Sequence, residues 1–202
     1  MSVKGNIKLI QKHVGAIQDG IIGNETLSKF RHKYGISKAM TAHFFGNIDH
    51  ESGGFRIVRE NMNYSASRLL QVFPKYFTKE TAMQYANKPE LIGNKVYGGR
   101  MGNAPDEGYK FRGRGFLQLT GKNNYRAFGE YIGVDLIDNP DLVATKYPLE
   151  SAIFFFQSNK LFHLVDDISE LSIQKVRRRV NGGLNGISEV VKLTRYYYNL
   201  IK

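Results

Sequence analysis

The feature that most constrains this chain is the way its apolar periodicity is cut. Apolar residues recur at helical spacing in short runs, and the runs stop at glycine or proline. Met40, Phe44, Phe45 and Ile48 mark one face of a segment that reaches Glu51, where Gly53-Gly54 ends it. Ser65 to Phe73 stops at Pro74, Thr78 can cap a helix to about Ala86, and Lys122 to Ile132 stops at Gly133. A further helix is expected from Pro148 to Asn159, and Ser172 can cap Ile173 to Val180 before Gly182-Gly183. Ser188 opens the last helix. Two stretches break the pattern: glycine-rich Asn94 to Asn103, and Tyr109 to Thr120, where polar and apolar residues alternate around Gly113 and Gly115. These read as loops with a short β-hairpin or irregular strand, so the fold expected is mainly α.

At the start, Ile7 to Val14 reads as a short amphipathic helix, followed by an Asp19-Gly20 turn and by Asn24 as the N-cap of a second helix. The pattern Asp-Gly-x-x-Gly-x-x-Thr over 19–26 resembles the turn of small peptidoglycan-binding domains, of which about half is present. A structural helix pair packed on the main body explains it equally well. No Pro- or Ser-rich linker follows, so residues 1–35 are expected to be integrated with a main domain over 36–202.

The 202 residues include no cysteine, which excludes disulfides, thiolate metal sites and a cysteine nucleophile. No stretch approaches the roughly 20 apolar residues of a membrane span, and the N-terminus lacks the apolar core of a secretory signal. The expected site of synthesis is therefore the cytoplasm. Lys and Arg number 29 against 18 Asp and Glu, a net charge of +11. That charge draws the protein toward polyanions: nucleic acid, an anionic membrane face or an acidic cell wall.

Glu51 lies in the last turn of its helix, near the negative end of the dipole. With partial burial against Phe44, Phe45 and Phe55, this favours a protonated carboxyl, as a general acid requires. Glu60 follows beyond the Gly53-Gly54 turn, which lets the chain bring a second carboxylate across a cleft. An inverting glycosidase needs such a pair with room for a water between. From Arg112 to Tyr125 a glycine-permitted strand presents Gln118 and Thr120 on one face, groups suited to sugar hydroxyls, acetamides or a water.

Other chemistries fit less well. His43, His50 and Glu51 do not form His-Glu-x-x-His, since glycines follow Ser52, and no metal or other cofactor is expected. Gly115 to Lys122 has the wrong glycine spacing for a phosphate loop. A nucleic-acid module would use the charge and Arg-Gly-Arg-Gly-Phe over 112–116, but the basic residues are dispersed. Lys175, Arg177, Arg178 and Arg179 read as a solvated face or a wall-binding patch. A non-catalytic wall-binding protein would leave Glu51 and Glu60 unexplained.

Taken in order, His-Glu-Ser-Gly-Gly-Phe (50–55), Glu-Asn-Met-Asn-Tyr-Ser (60–65), Tyr-Gly-Gly-Arg-Met-Gly-Asn (97–103), Phe-Arg-Gly-Arg-Gly-Phe-Leu-Gln-Leu-Thr-Gly (111–121) and Asn-Gly-Gly (181–183) resemble the family 19 glycoside hydrolases. The similarity is to the phage endolysin branch of that chitinase-like family, from about Ile36 to the C-terminus. It implies a mainly helical, lysozyme-like fold with a cleft between two lobes, and hydrolysis with inversion. It implies Glu51 as general acid, Glu60 as the base that activates water and Thr120 as the hydroxyl that positions it. Gln118, Asn124, Asn181 and Arg195 would line the sugar subsites. The same resemblance implies a monomeric peptidoglycan muramidase, drawn to an anionic envelope, made in a host cytoplasm and released to the wall by a holin-type pore. Chitinase or glucosaminidase activity is the alternative.

Overall fold

In a computed structural model that describes residues 2–202, the apolar runs become helices α1 (Val3–Val14), α2 (Asn24–Tyr34), α3 (Lys38–Ser52), α4 (Ala66–Val72), α5 (Lys79–Tyr85) and α6 (Pro89–Tyr97). They continue as α7 (Lys122–Ile132), α8 (Leu142–Thr145), α9 (Pro148–Ser158), α10 (Glu170–Asn181) and α11 (Ile187–Leu200). The fold is mainly helical, and the expected hairpin is reduced to antiparallel bridges pairing Arg59 with Arg114 and Arg114 with Leu119.

Several boundaries differ from the sequence expectation for local reasons. The loop expected from Asn94 is helical to Tyr97, because Pro89 at the first turn and Glu90 behind it start α6. Ser169 caps α10, its hydroxyl accepting from the Ser172 N–H, so Ser172 is the capped residue and not the cap. Gly186, at φ 72°, precedes α11 in place of Ser188. Asn24 is the first residue of α2, and its side-chain oxygen accepts from Ser28 and from the Lys202 N–H.

Three apolar clusters divide the molecule. The largest joins Ile10, Leu27 and Phe30 of the N-terminal helices to Phe44, Phe45 and Ile48 of α3, Phe156 of α9 and Tyr197 of α11. Each such side chain contributes about 1.5–3 kcal/mol on full burial. Residues 2–35 therefore share one core with α3. The Asp19-Gly20 turn is closed from within: Gln11 Nε2 donates to Asp19 Oδ1, and the Gly20 N–H donates to Gln11 Oε1. A second cluster, with Met62, Leu69, Phe77, Ala82, Ile92 and Val96, forms a smaller lobe around α4 to α6. The third surrounds α7 with Phe111, Tyr125 and Phe128.

Helix α3 lies against α11 at a distance that only glycine allows. A Cβ at Gly46 would stand 2.6 Å from Thr194 Oγ1. Helix α3 is thus buried along most of its length, with Ala39 to Ile48 all inside, and its last turn emerges beside the smaller lobe.

Candidate active site

The end of α3 is built to stop at a fixed point. Ser52 Oγ donates to the Ile48 carbonyl and accepts from the Phe55 N–H. Gly53, Gly54 and Phe55 then follow with φ of 57°, 75° and 60°. Three consecutive left-handed residues turn the chain sharply, and glycine takes the first two without steric cost. Phe55 carries the strain, and its carbonyl accepts from Asn6 Nδ2 of α1 at 2.7 Å. Asn6 is fully buried. The N-terminal helix therefore braces the turn between the two candidate carboxylates.

Glu51 and Glu60 line a single cleft of ≈ 550 Å³, together with Arg56, Ile57, Val58, Arg59, Asn61, Tyr64 and Gln118. Their surroundings differ. Glu51 Oε1 accepts from Arg177 Nη1 at 2.5 Å. The same guanidinium reaches Asn47 Oδ1 and donates through Nε and Nη2 to the Asn185 carbonyl. Arg177 is 1% exposed, so the solvated basic face expected for this run is corrected at its central member. The signal was present: Arg177 sits four residues after Ile173 and three before Val180, on the apolar face of α10. The aromatic setting expected for Glu51 is corrected too, since the group holding its carboxylate is a cation.

Glu60 is fixed by neutral donors. Tyr97 Oη donates to Oε1 at 2.8 Å and the Gly113 N–H donates to Oε2 at 3.1 Å. The Glu60 N–H returns a bond to the Gly113 carbonyl, and the Gly115 N–H one to Val58, so residues 58–60 run antiparallel beside 113–115. Burial first, and then the charge of Glu60, raise the pKa of the Tyr97 hydroxyl well above its usual value, so it stays a donor. In the sequence Tyr97 stands out only as the first residue of Tyr-Gly-Gly-Arg-Met-Gly-Asn. Asn103 of that motif ties the Tyr97 carbonyl to the Lys122 N–H at the start of α7.

The remaining expected residues fall into three groups. Gln118 lines the cleft at φ 52°, its amide donating to the Gly115 carbonyl. Thr120 Oγ1 spends its proton on the Gln118 carbonyl at 2.8 Å, which leaves its lone pairs to accept from a water. Asn124 and Asn181 are exposed at the start of α7 and the end of α10, where Asn124 Nδ2 holds the Thr120 carbonyl. Arg195 does not join them. It pairs with Glu170 at the far end of α10, seven residues and thus about 10 Å along the helix from Arg177.

His43 is fully buried in the core, with Nε2 bonded to the Asp167 carbonyl. Among the described residues no group of three His, Asp or Glu is placed to hold a metal. Arg114 is 3% exposed and bonded to Asp141 and Tyr125, so Arg-Gly-Arg-Gly-Phe is no free basic surface.

Two carboxyls facing one cleft in a two-lobed helical fold define a glycoside hydrolase of the lysozyme-like kind. The family profile described as chitinase class I, for glycosyl hydrolase family 19, matches residues 32–164. A glycosyl hydrolase family 19 domain-containing protein of Haemophilus influenzae is 43% identical over 166 residues, 79% of each chain. The acidic 27 kDa endochitinase of Solanum lycopersicum is 48% identical over 66 residues, 30% of this chain and 26% of that one. Among solved structures, the class IV chitinase of Zea mays superposes with TM-score 0.52 at 17% identity, over 100% of this chain and 83% of that one. The chain belongs to the family 19 glycoside hydrolases.

Proposed function

We propose that this enzyme is an endolysin that hydrolyses the β-1,4 glycosidic bonds of bacterial peptidoglycan with inversion, as a muramidase in host lysis. The observation carrying this reading is that Glu51 and Glu60, each held by fixed donors, line one cleft. Glu51 delivers a proton to the leaving glycosidic oxygen. Glu60, with both oxygens oriented, takes a proton from the water that attacks the opposite face of the sugar, and Thr120 helps hold that water through its free lone pairs. Gln118, Asn124 and Asn181 contact the flanking sugars. A net charge of +11 supports an acidic polymer as substrate and an anionic envelope as the surface that retains the enzyme. The enzyme acts as a monomer and reaches the wall from the host cytoplasm through a holin-type pore.

Chitin hydrolysis is the second reading, favoured by the chitinase description of the matching family. Purified sacculi and chitin oligomers are digested in parallel, and the wall products are reduced and read by mass spectrometry. Muramitol at the new ends supports the muramidase reading. Glucosaminitol ends point to a glucosaminidase, and cleavage of chitin without soluble wall fragments supports the chitinase.

A further inference from the structure

Resting on the peptidoglycan reading of this cleft, we propose that Arg56 is its specificity residue. It recognises the carboxylates that the wall polymer carries on lactyl groups free of peptide, or on the peptide where one is attached, and that a neutral N-acetylglucosamine polymer lacks.

The charges of the cleft lining are two glutamates and two arginines. Three of them are occupied. Glu51 is bonded to Arg177, Glu60 takes the Tyr97 hydroxyl and the Gly113 N–H, and Arg59 shares Asp141 with Arg114 at 3.4 Å. Among the described residues, Arg56 has neither an ion pair nor a side-chain hydrogen bond, and it is exposed. Arg56 thus presents five guanidinium donors to the space that a substrate fills.

Its backbone is fixed. The Arg56 N–H donates to the Ser52 carbonyl at 3.0 Å and the Ile57 N–H to the same oxygen at 2.8 Å. Ser52 and Asn6 clamp the turn from either side. The cation therefore stands five residues past Glu51 on a hydrogen-bonded turn, not on a free loop. Ile57 beside it is 48% exposed within the cleft, an apolar surface next to a carboxylate receptor. That combination suits a substituent with an acid group on a short carbon chain. A guanidinium pairs with a carboxylate in bidentate fashion, which gives it orientation as well as charge. An exposed pair contributes little, and one covered by bound substrate contributes more. The expected effect lies between these, at about tenfold in substrate preference.

The test measures kcat/KM for the wild type, Arg56→Gln and Arg56→Lys. The substrates are soluble wall glycan strands with free lactyl carboxylates and a soluble N-acetylglucosamine oligomer. The expected result is an anionic-to-neutral preference about tenfold lower in Arg56→Gln, carried by KM, partly restored in Arg56→Lys and weakened by salt in the wild type. An unchanged preference in Arg56→Gln, with the wild type still cutting wall glycan, overturns the role of Arg56 and leaves the peptidoglycan reading standing. A wild type that cuts only the neutral oligomer overturns both.

Discussion

Replacing Tyr97 by Phe removes one oxygen, and with it one of the two donors that orient Glu60. The ring stays in the smaller lobe, so the fold is expected to survive. The lost bond is 2.8 Å long and ends on a carboxylate, while the 3.1 Å bond from Gly113 remains. Hydrogen bonds to charged groups contribute about 1.5–3 kcal/mol. Glu60 is only partly buried, so water can replace some of the loss and the lower half of that range applies. At 1.36 kcal/mol per tenfold, kcat should fall by about 10- to 50-fold. KM should change little, because Tyr97 holds the base and not the sugar. The assay is initial-rate release of reducing ends from soluble wall glycan, with a thermal melt on the same samples. A kcat within twofold of wild type in a folded variant refutes the claim that Tyr97 sets the base. A loss of kcat matched by a collapse of the melt refutes the claim that the effect is local.

Three further outcomes are expected. Arg177→Met removes a buried cation, strips two donors from the Asn185 carbonyl and leaves Glu51 unpaired. Breaking a buried pair costs about 3–5 kcal/mol, and with Glu51 26% exposed about 2–4 is expected. The melt should drop by roughly 5–15 °C at 2–4 °C per kcal/mol, and an unchanged melt would contradict the burial argument. Asn6→Ala leaves the Phe55 carbonyl without its donor, which should lower stability by about 1–3 kcal/mol in denaturant unfolding. It should also quicken amide exchange over residues 53–57, and unaltered exchange there would remove the bracing role. Desolvation lowers the pKa of His43 below its ordinary 6.5, so the unfolded chain takes this proton first as pH falls. Stability due to His43 is thus present above pH 6.5 and lost below it. Melts from pH 8 to pH 5 should show that loss in the wild type and a smaller one in His43→Gln; parallel curves would contradict it.

Much of this was legible in the chain. Gly53-Gly54 after a helix with one apolar face announced both the turn and the carboxylate before it, because glycine stops and helical periodicity are local properties. Glu60, Gln118 and Thr120 followed from motifs in order. What stayed hidden depends on groups distant in sequence. Arg177 reaches Glu51 across 126 positions, Tyr97 reaches Glu60 across 37, and Asn6 reaches Phe55 across 49. Local pattern has no access to such pairings. Arg177 was also masked by its basic neighbours Arg178 and Arg179, whose exposure is what a charged run ordinarily signals. Arg195 is a different case: spacing after Asn181-Gly182-Gly183 places it in α11 but says nothing of its pairing with Glu170 at the start of α10.

The central claim is that Glu51 is the proton donor in this cleft, and Glu51→Gln tests it most directly. The amide keeps the size of the side chain and an oxygen for Arg177 but leaves that buried cation without its counter-charge, so the melt should fall while the fold and sedimentation with sacculi are retained. Release of reducing ends from wall glycan should fall by about 10²- to 10⁴-fold, the usual contribution of a general acid. A folded Glu51→Gln enzyme that retains near wild-type rates would contradict the account.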